Sequence, residues 1–322
     1  MTTVVGIDVG GTKVAATLLG ADGMGEHRQQ PTALASGEEL IGQLVEIVGQ
    51  AAGGSAYEAV GIGVPSIVRF ATGEIAASTN IPLEGVQLRR VLGERLGVPV
   101  YVDNDATVAA LAEAHDDQLT LVSRNLVMLT VGTGIGGGVV IDGRIFRGAS
   151  GGAGELGMTL IGLSCDPDMQ AAGEHFPQPG SLEALASGTA LDHLAQAAAR
   201  AHPDSVIGRL ASAGGHVLGA DAVTATGEGD EPAAAAVRRW AHALGVGIAN
   251  AINTFDPDEV VIGGGGAAAG ELLLEPAAEF AEGYIHPGLR GRAKVRLARW
   301  GATAGVLGAA LLAVHELERE PS

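Results

Sequence analysis

Two carboxylates in this chain stand where a carboxylate is costly unless it has work, and two more sit in glycine-rich or helix-opening sequence. Asp8 ends an apolar stretch, residues 4–9, and precedes the turn Gly10-Gly11-Thr12-Lys13. A buried carboxylate needs a partner, and a hydrated Mg²⁺ carried on nucleotide phosphates is a suitable one; a turn-capping aspartate is the plainer alternative. Asp105 closes the triplet Asp103-Asn104-Asp105, at the C-terminal end of a strand expected over residues 98–102. Open α/β sheets place their ligands there. A carboxylate in that position can take a hydroxyl proton while the oxygen attacks phosphorus, and Asn104 offers a donor and an acceptor to a sugar hydroxyl. The triplet equally suits the N-cap of a helix beginning at Ala106, so one residue caps while another is left for chemistry. Glu155 lies in the glycine-dense loop 151–157, which reads as a tight turn presenting that side chain. Glu183 falls in the first turn of a helix opened by Gly180-Ser181, and a capping or helix-dipole role accounts for it equally well.

The elements that must position these groups come as a repeated unit. Residues 4–9, the turn Gly10-Gly11-Thr12 and residues 13–19 form an apolar strand, a glycine turn and a second apolar strand. Residues 126–131, the run Gly132-Thr133-Gly134-Ile135-Gly136-Gly137-Gly138 and residues 139–141 repeat the pattern. Glycine lets main-chain N–H groups approach an anion closely. Two such hairpins point to two related domains with a nucleotide between them, Lys13 adding positive charge. A third run, Gly263-Gly264-Gly265-Gly266, follows the strand expected over residues 259–262 and could pass its flat backbone beneath an adenine ring.

Bulk properties narrow the classes. At 322 residues the chain suffices for two domains. Apolar residues at 47% and charged residues at 17% exclude a disordered chain. The formal net charge of −18 opposes nucleic acid and anionic membranes as partners. The single cysteine, Cys165, rules out an internal disulfide and a thiolate zinc cluster. The histidines show no metal-ligand spacing, and no apolar run reaches the ~20 residues of a membrane span. Residues 1–13 do not resemble a signal peptide; the expected location is cytoplasmic.

Periodicity predicts helices over residues 37–51, 88–96, 106–115, 181–199, 231–255 and 303–316, with strands over residues 59–64, 98–102 and 295–297. Residues 150–178 read mostly as loop. The polar stretch near residues 115–125 is the expected hinge. It divides an N-terminal α/β domain, residues 1–118 with the closing helix 302–322, from a larger α/β domain, residues 119–301.

The motif order resembles the ROK family of repressors and sugar kinases, and within it the bacterial glucokinase type. The resemblance spans nearly the whole chain: Asp8-Val9-Gly10-Gly11-Thr12-Lys13, Gly63-Val64-Pro65, Thr79-Asn80, Val102-Asp103-Asn104-Asp105-Ala106, residues 132–138, Gly154-Glu155-Leu156-Gly157, Leu182-Glu183-Ala184, and Ala249-Asn250 through Asp256-Pro257 to Gly263-Gly264-Gly265. It implies an actin-like ATPase (hexokinase/ribonuclease H-like) fold with two domains and a cleft between them. It further implies ATP and Mg²⁺ as cofactors, a small-molecule sugar as substrate and a homodimer. Asp105 would be the catalytic base. Asn80, Asn104, Glu155, Glu183 and the residue at position 158 would contact the sugar. Asp8, Gly10, Gly11, Thr12 and Lys13 on one side, and Thr133, Gly134, Gly136 and Gly264 on the other, would hold the nucleotide, with Asp8 meeting the metal through water.

One departure stands out. The family carries a histidine three residues after the loop glutamate, and this chain has Met158 there. The family's cysteine cluster before the helix glutamate is replaced by residues 174–183, which contain none. No zinc site is therefore expected, although both glutamates and Asp105 remain. Met158 cannot donate a hydrogen bond to a sugar hydroxyl, which points to an unusual hexose or an amino sugar. Ser66, where the family commonly has glycine, also alters the pocket. A non-catalytic sugar sensor is the alternative that the missing zinc ligands suggest. A DNA-binding repressor is disfavoured by the charge and by Asp8 standing so near the first residue. Polyphosphate in place of ATP stays open as a donor.

Overall fold

The computed structural model describes residues 2–78, 80–162 and 176–319. The chain forms two compact units. The first comprises Met1–Arg124, Gly138–Gly154 and Trp300–Ser322; the second comprises Asn125–Gly137 and Glu155–Arg299. The segment Gly138–Gly154, beyond the boundary drawn from the sequence, groups with the first unit.

In the first unit β1 (Val4–Val9) and β2 (Lys13–Gly20) make an antiparallel hairpin. Short β3 (Gly23–Met24) and β4 (Arg28–Pro31) both pair with β2. On its other side β1 runs parallel to β5 (Ala59–Val64). A separate hairpin, β6 (Ser66–Arg69) with β7 (Glu74–Ser78), follows. β8 (Val100–Asn104) then pairs parallel with β5, completing the order β3-β2-β1-β5-β8. β5 is buried throughout, as a strand covered on both faces must be. Helix α1 (Gly37–Ala52) is capped by Ser36 and buries Leu40, Leu44, Ile47 and Val48; α2 (Leu88–Leu96) buries Leu88 and Leu92. Helix α3 (Asp105–Glu113) starts directly at the end of β8. The closing helix, Ala304–Leu317, is buried along nearly all its length. It lies directly on the sheet because Gly6 and Gly61 lack side chains; a Cβ on either would overlap the main chain of that helix.

The second unit is built on β9 (Leu126–Val131), from which the turn at Gly132–Gly134 leads into β10 (Ile135–Ile141); from Gly138 onward β10, and with it β11 (Arg144–Ile145), groups with the first unit. β12 (Glu259–Gly263) pairs parallel with β9 and with β13 (Lys294–Leu297). The helices are α4 (Leu182–Ala186), α5 (Gly188–Ala201), α6 (Val206–Ser212), α7 (Gly219–Gly227), α8 (Glu231–Phe255) and α9 (Glu271–Glu282). No described helix is long and apolar enough to cross a membrane.

Some elements differ from expectation. The strand read as 98–102 is Val100–Asn104, so Asp103 and Asn104 lie inside it. The second glycine run is shorter as a turn, since the strand begins at Ile135 and takes in Gly136. The helix read as 181–199 breaks at Ser187, which is extended (φ −73°, ψ 169°) and caps α5 through a hydrogen bond from the Ala190 N–H. The break is stabilised from outside: Trp240 Nε1 donates to the carbonyls of Ala186 (2.8 Å) and Ser187 (3.0 Å). The hairpin β6–β7 and helices α6, α7 and α9 have no counterpart among the expected elements.

Candidate functional site

The first unit gathers one set of the expected residues around the C-terminal ends of its parallel strands. Register places Asp8 of β1 beside Gly63 of β5, and Gly63 beside Asp103 of β8. Gly63 leaves the space into which α3 advances; a Cβ there would stand 2.7 Å from Val108 Cγ2 and 3.4 Å from the Asp105 Cα. Asp8 consequently feels the charge of Asp105. Burial pushes the Asp8 carboxyl up from 3.8 to about 6; the Asp105 charge adds to the rise and Lys13 opposes it. Burial also raises Asp105, against hydrogen bonds from the Ala106 N–H (2.7 Å), its own main chain and Asn104. Asp105 thus adds to the proton affinity of Asp8, and a cation bound at Asp8 would offset that charge. The hard oxygen donors suit a hydrated Mg²⁺.

The neighbouring turn is firmly fixed. Gly10 N donates to the Lys13 carbonyl (2.8 Å), Thr32 Oγ1 to the Gly10 carbonyl (2.7 Å) and Thr32 N to the Thr12 carbonyl (3.1 Å). Thr12 and Lys13 are exposed, and Asn80 lies against Gly11. Thr79 is outside the described residues. Asn104 proves to be a structural residue at both ends of its amide. Its Oδ1 caps α3 by accepting from the Thr107 N–H (3.0 Å), and its Nδ2 reaches the Ser66 carbonyl (3.4 Å). Ser66, buried, donates to Ser78 Oγ (2.9 Å) and so ties that carbonyl to the β6–β7 hairpin.

Asp103 is the residue that the motif concealed. It is 2% exposed, and Arg147 Nε donates to its Oδ2 at 2.6 Å. Burial pushes this carboxyl up while Arg147 pulls it back. Nothing in the sequence pairs positions 103 and 147; only the fold does.

The second unit assembles the other set around the turn at Gly132–Gly134. Gly132 N donates to the Gly134 carbonyl (2.8 Å), closing the turn and leaving Thr133 exposed. Glu183 Oε2 accepts from the Ile135 N–H at 2.7 Å. Gly188 N donates to the Gly132 carbonyl (2.7 Å), and Thr189 Oγ1 to that of Thr133 (2.8 Å). The turn is thus bound at several points to α4 and the start of α5, which is what the break at Ser187 achieves. Glu155 is exposed and precedes a 3₁₀ turn, Leu156–Met158, whose Gly157 fits against the Ile135 carbonyl. Met158 is partly buried at the end of that turn. Leu182 N donates to the Thr159 carbonyl (2.8 Å), so Glu155, Met158 and Glu183 belong to one local assembly with the turn. Gly264 takes φ 77°, a conformation glycine adopts freely, and packs on the main chain of Val131. Cys165, Glu174 and His175 lie outside the described residues.

The sequence profile of the ROK family matches residues 4–316. The chain is 33% identical over 319 residues to a glucokinase of Halalkalibacterium halodurans, covering 94% of this chain and 92% of that protein. It is 35% identical over 331 residues to an N-acetylmannosamine kinase of Escherichia coli O157:H7, covering 98% and 99%. Among solved structures, a ROK family glucokinase from Streptomyces griseus in complex with glucose and AMPPNP superposes with a TM-score of 0.77 at 30% identity, over 97% of this chain and 99% of that one.

Proposed function

The chain belongs to the ROK family, and from that premise we propose that it is an ATP-dependent sugar kinase, transferring the γ-phosphoryl group to the 6-hydroxyl of a hexose or hexose derivative with Asp105 as general base. The observation that carries this is the register that sets Asp8, Gly63 and Asp103 side by side at the end of one sheet, with Asp105 opening α3 directly after it and its charge raising Asp8. A proton-accepting carboxylate and a carboxylate in want of a cation then share the end of one sheet. Phosphoryl transfer needs positioning and charge neutralisation more than covalent chemistry.

The roles follow from what each side chain has left to offer. Asp105 orients the attacking hydroxyl and takes its proton; its raised proton affinity brings it closer to that task than a surface aspartate. Gly11, Thr12, Thr133 and Gly134 present turn groups to the phosphates, Thr12 and Thr133 being exposed, and Lys13 adds charge. Asp8 would hold Mg²⁺ through water, and the ion, when bound, neutralises charge on the phosphates. Asn80, Glu155 and Glu183 are the sugar-contacting set, while Asn104 shapes the wall more than it is free to bind. Met158 supplies an apolar contact in place of a donor, which favours a substrate with an apolar substituent, such as an N-acetyl group, over a free hydroxyl.

The test is ADP release by the purified protein with ATP or polyphosphate as donor, over a panel holding glucose, mannose, N-acetylglucosamine and N-acetylmannosamine. Turnover on one or more sugars is expected. Asp105→Asn should lower kcat by about 10²–10⁴-fold without loss of thermal stability. A near-wild-type rate in that variant removes Asp105 from the mechanism, and silence across the panel favours a sugar sensor.

A further inference from the structure

Arg147 is an unusual use of a cation in a chain that has only 19 basic side chains against 37 acidic ones. Its side chain is 17% exposed. Nε meets Asp103 Oδ2 at 2.6 Å, Nη2 meets Glu316 Oε1 of the closing helix at 3.2 Å, and the guanidinium carbon stands 3.5 Å from the centre of the Phe70 ring. These partners belong to β8, the closing helix and the residue after β6, so one planar group joins three separate segments of the first unit. Lysine could reproduce the charge but not the fork or the stacking.

The other oxygen of Asp103 points along the chain. Oδ1 accepts from the Asn104 N–H at 3.0 Å. Asn104 in turn caps α3, whose first residue is Asp105. An unbroken sequence of hydrogen bonds therefore runs from Arg147 through Asp103 and Asn104 to the main chain that carries Asp105. We propose that Arg147 and Asp103 form a positioning clamp for Asp105, setting where its carboxylate stands when the sugar hydroxyl is deprotonated. This rests on Asp105 being the base. Neither clamp residue touches the substrate; both act through the geometry of the β8–α3 junction.

Loss of the clamp should disturb position more than folding. A cavity of about 310 Å³ opens beside Arg147, between Leu111, Leu312, His315 and Glu316. Water entering there can solvate Asp103 once the guanidinium is gone, so the buried carboxylate need not unfold the unit. It would still be free to turn, and the Asn104 peptide with it. Displacement of a reacting group by about 1 Å costs on the order of 10²-fold in rate.

The experiment uses the full-length protein with its best sugar and ATP, comparing Arg147→Met, Arg147→Lys, Asp103→Asn and each of these combined with Asp105→Asn. Expected for Arg147→Met is a kcat loss of about 10- to 100-fold with KM for ATP and sugar changed by less than about 3-fold. Arg147→Lys should recover only part of the loss. In the Asp105→Asn background the same substitutions should cost nothing further, because their effect passes through that carboxylate. Wild-type kcat in Arg147→Met and Asp103→Asn overturns the clamp, as does a loss that persists undiminished on Asp105→Asn. If Arg147→Met does not fold, Asp103→Asn, which is isosteric, decides on the same criteria. An active Asp105→Asn single variant would instead overturn the base assignment, so the two failures are distinguishable.

Discussion

Asp8 shows how far a single residue's environment can be carried into prediction. Its carboxyl is raised from 3.8 to about 6. A folded-state value above the unfolded one means that the folded protein binds more protons across that interval. Stability from this group is therefore fully present below 3.8 and is lost as pH rises through about 6. The shift corresponds to at most about 3 kcal/mol, since one unit is about 1.4 kcal/mol. In the absence of nucleotide and metal, Asp8→Asn should raise the thermal midpoint at neutral pH and leave it unchanged at strongly acid pH; denaturation scans with a chelator present measure it. An equal gain at both pH extremes would mean that charge is not the cause. Met158 gives the second prediction at this scale. Restoring a donor by Met158→His should change the ranking of kcat/KM between N-acetylated and free-hydroxyl sugars by about 5- to 10-fold, equivalent to one neutral hydrogen bond of about 1 kcal/mol. A sugar panel with an unaltered order would show that position 158 does not govern choice.

At the scale of elements, the break between α4 and α5 shapes the second unit's turn. A continuous helix could not present Gly188 N and Thr189 Oγ1 to the carbonyls of Gly132 and Thr133 while Glu183 takes the Ile135 N–H. Glu183→Ala leaves that N–H without its acceptor, and the thermal stability of the protein should fall by about 1–3 kcal/mol. Glu183→Gln, which keeps an acceptor oxygen, should lose clearly less; equal losses would mean the bond contributes little. Legibility in the sequence divides along the same line. Hydrophobic period gave the long helices and buried strands, because a core face repeats whatever lies opposite. Glycine runs marked both turns, since few residues tolerate such backbone. Ser187-Gly188 is a signal for a helix break, but only Trp240, 53 residues onward from Ser187, completes it. The hairpin β6–β7 is short, and the bond from the Ser66 hydroxyl to Ser78 that holds it has no sequence signature. Arg147 was invisible for the same reason: its partners are 44 and 169 positions away.

At the scale of the molecule, the first unit is completed by the last part of the chain. The closing helix packs on β1, β5 and α3, and Trp300 N donates to the buried Glu113 (2.9 Å) just before it. At its far end His315 meets His115, ring centres 5.4 Å apart. Burial pushes His115 below 6.5, with the Leu111 carbonyl and Asp116 opposing. Burial and then His115 push His315 down as well; Glu318 and Glu316 oppose, and Arg319 adds to the fall. Here the sign is opposite to that of Asp8. A histidine whose folded-state value is lowered contributes stability that is complete above 6.5 and is lost as pH falls below it, because the unfolded chain then takes up protons that the folded one refuses. The first unit should thus loosen on mild acidification at the junction of α3 and the closing helix. His315→Gln, which cannot titrate, should show a smaller drop in thermal midpoint between about pH 7.5 and about pH 5.5 than the wild type. Hydrogen exchange over the same interval should rise first in the closing helix and the end of α3. A drop of wild-type size in the variant, or exchange rising first in β9 and β12, would assign acid sensitivity to other groups and leave the histidine pair a packing contact.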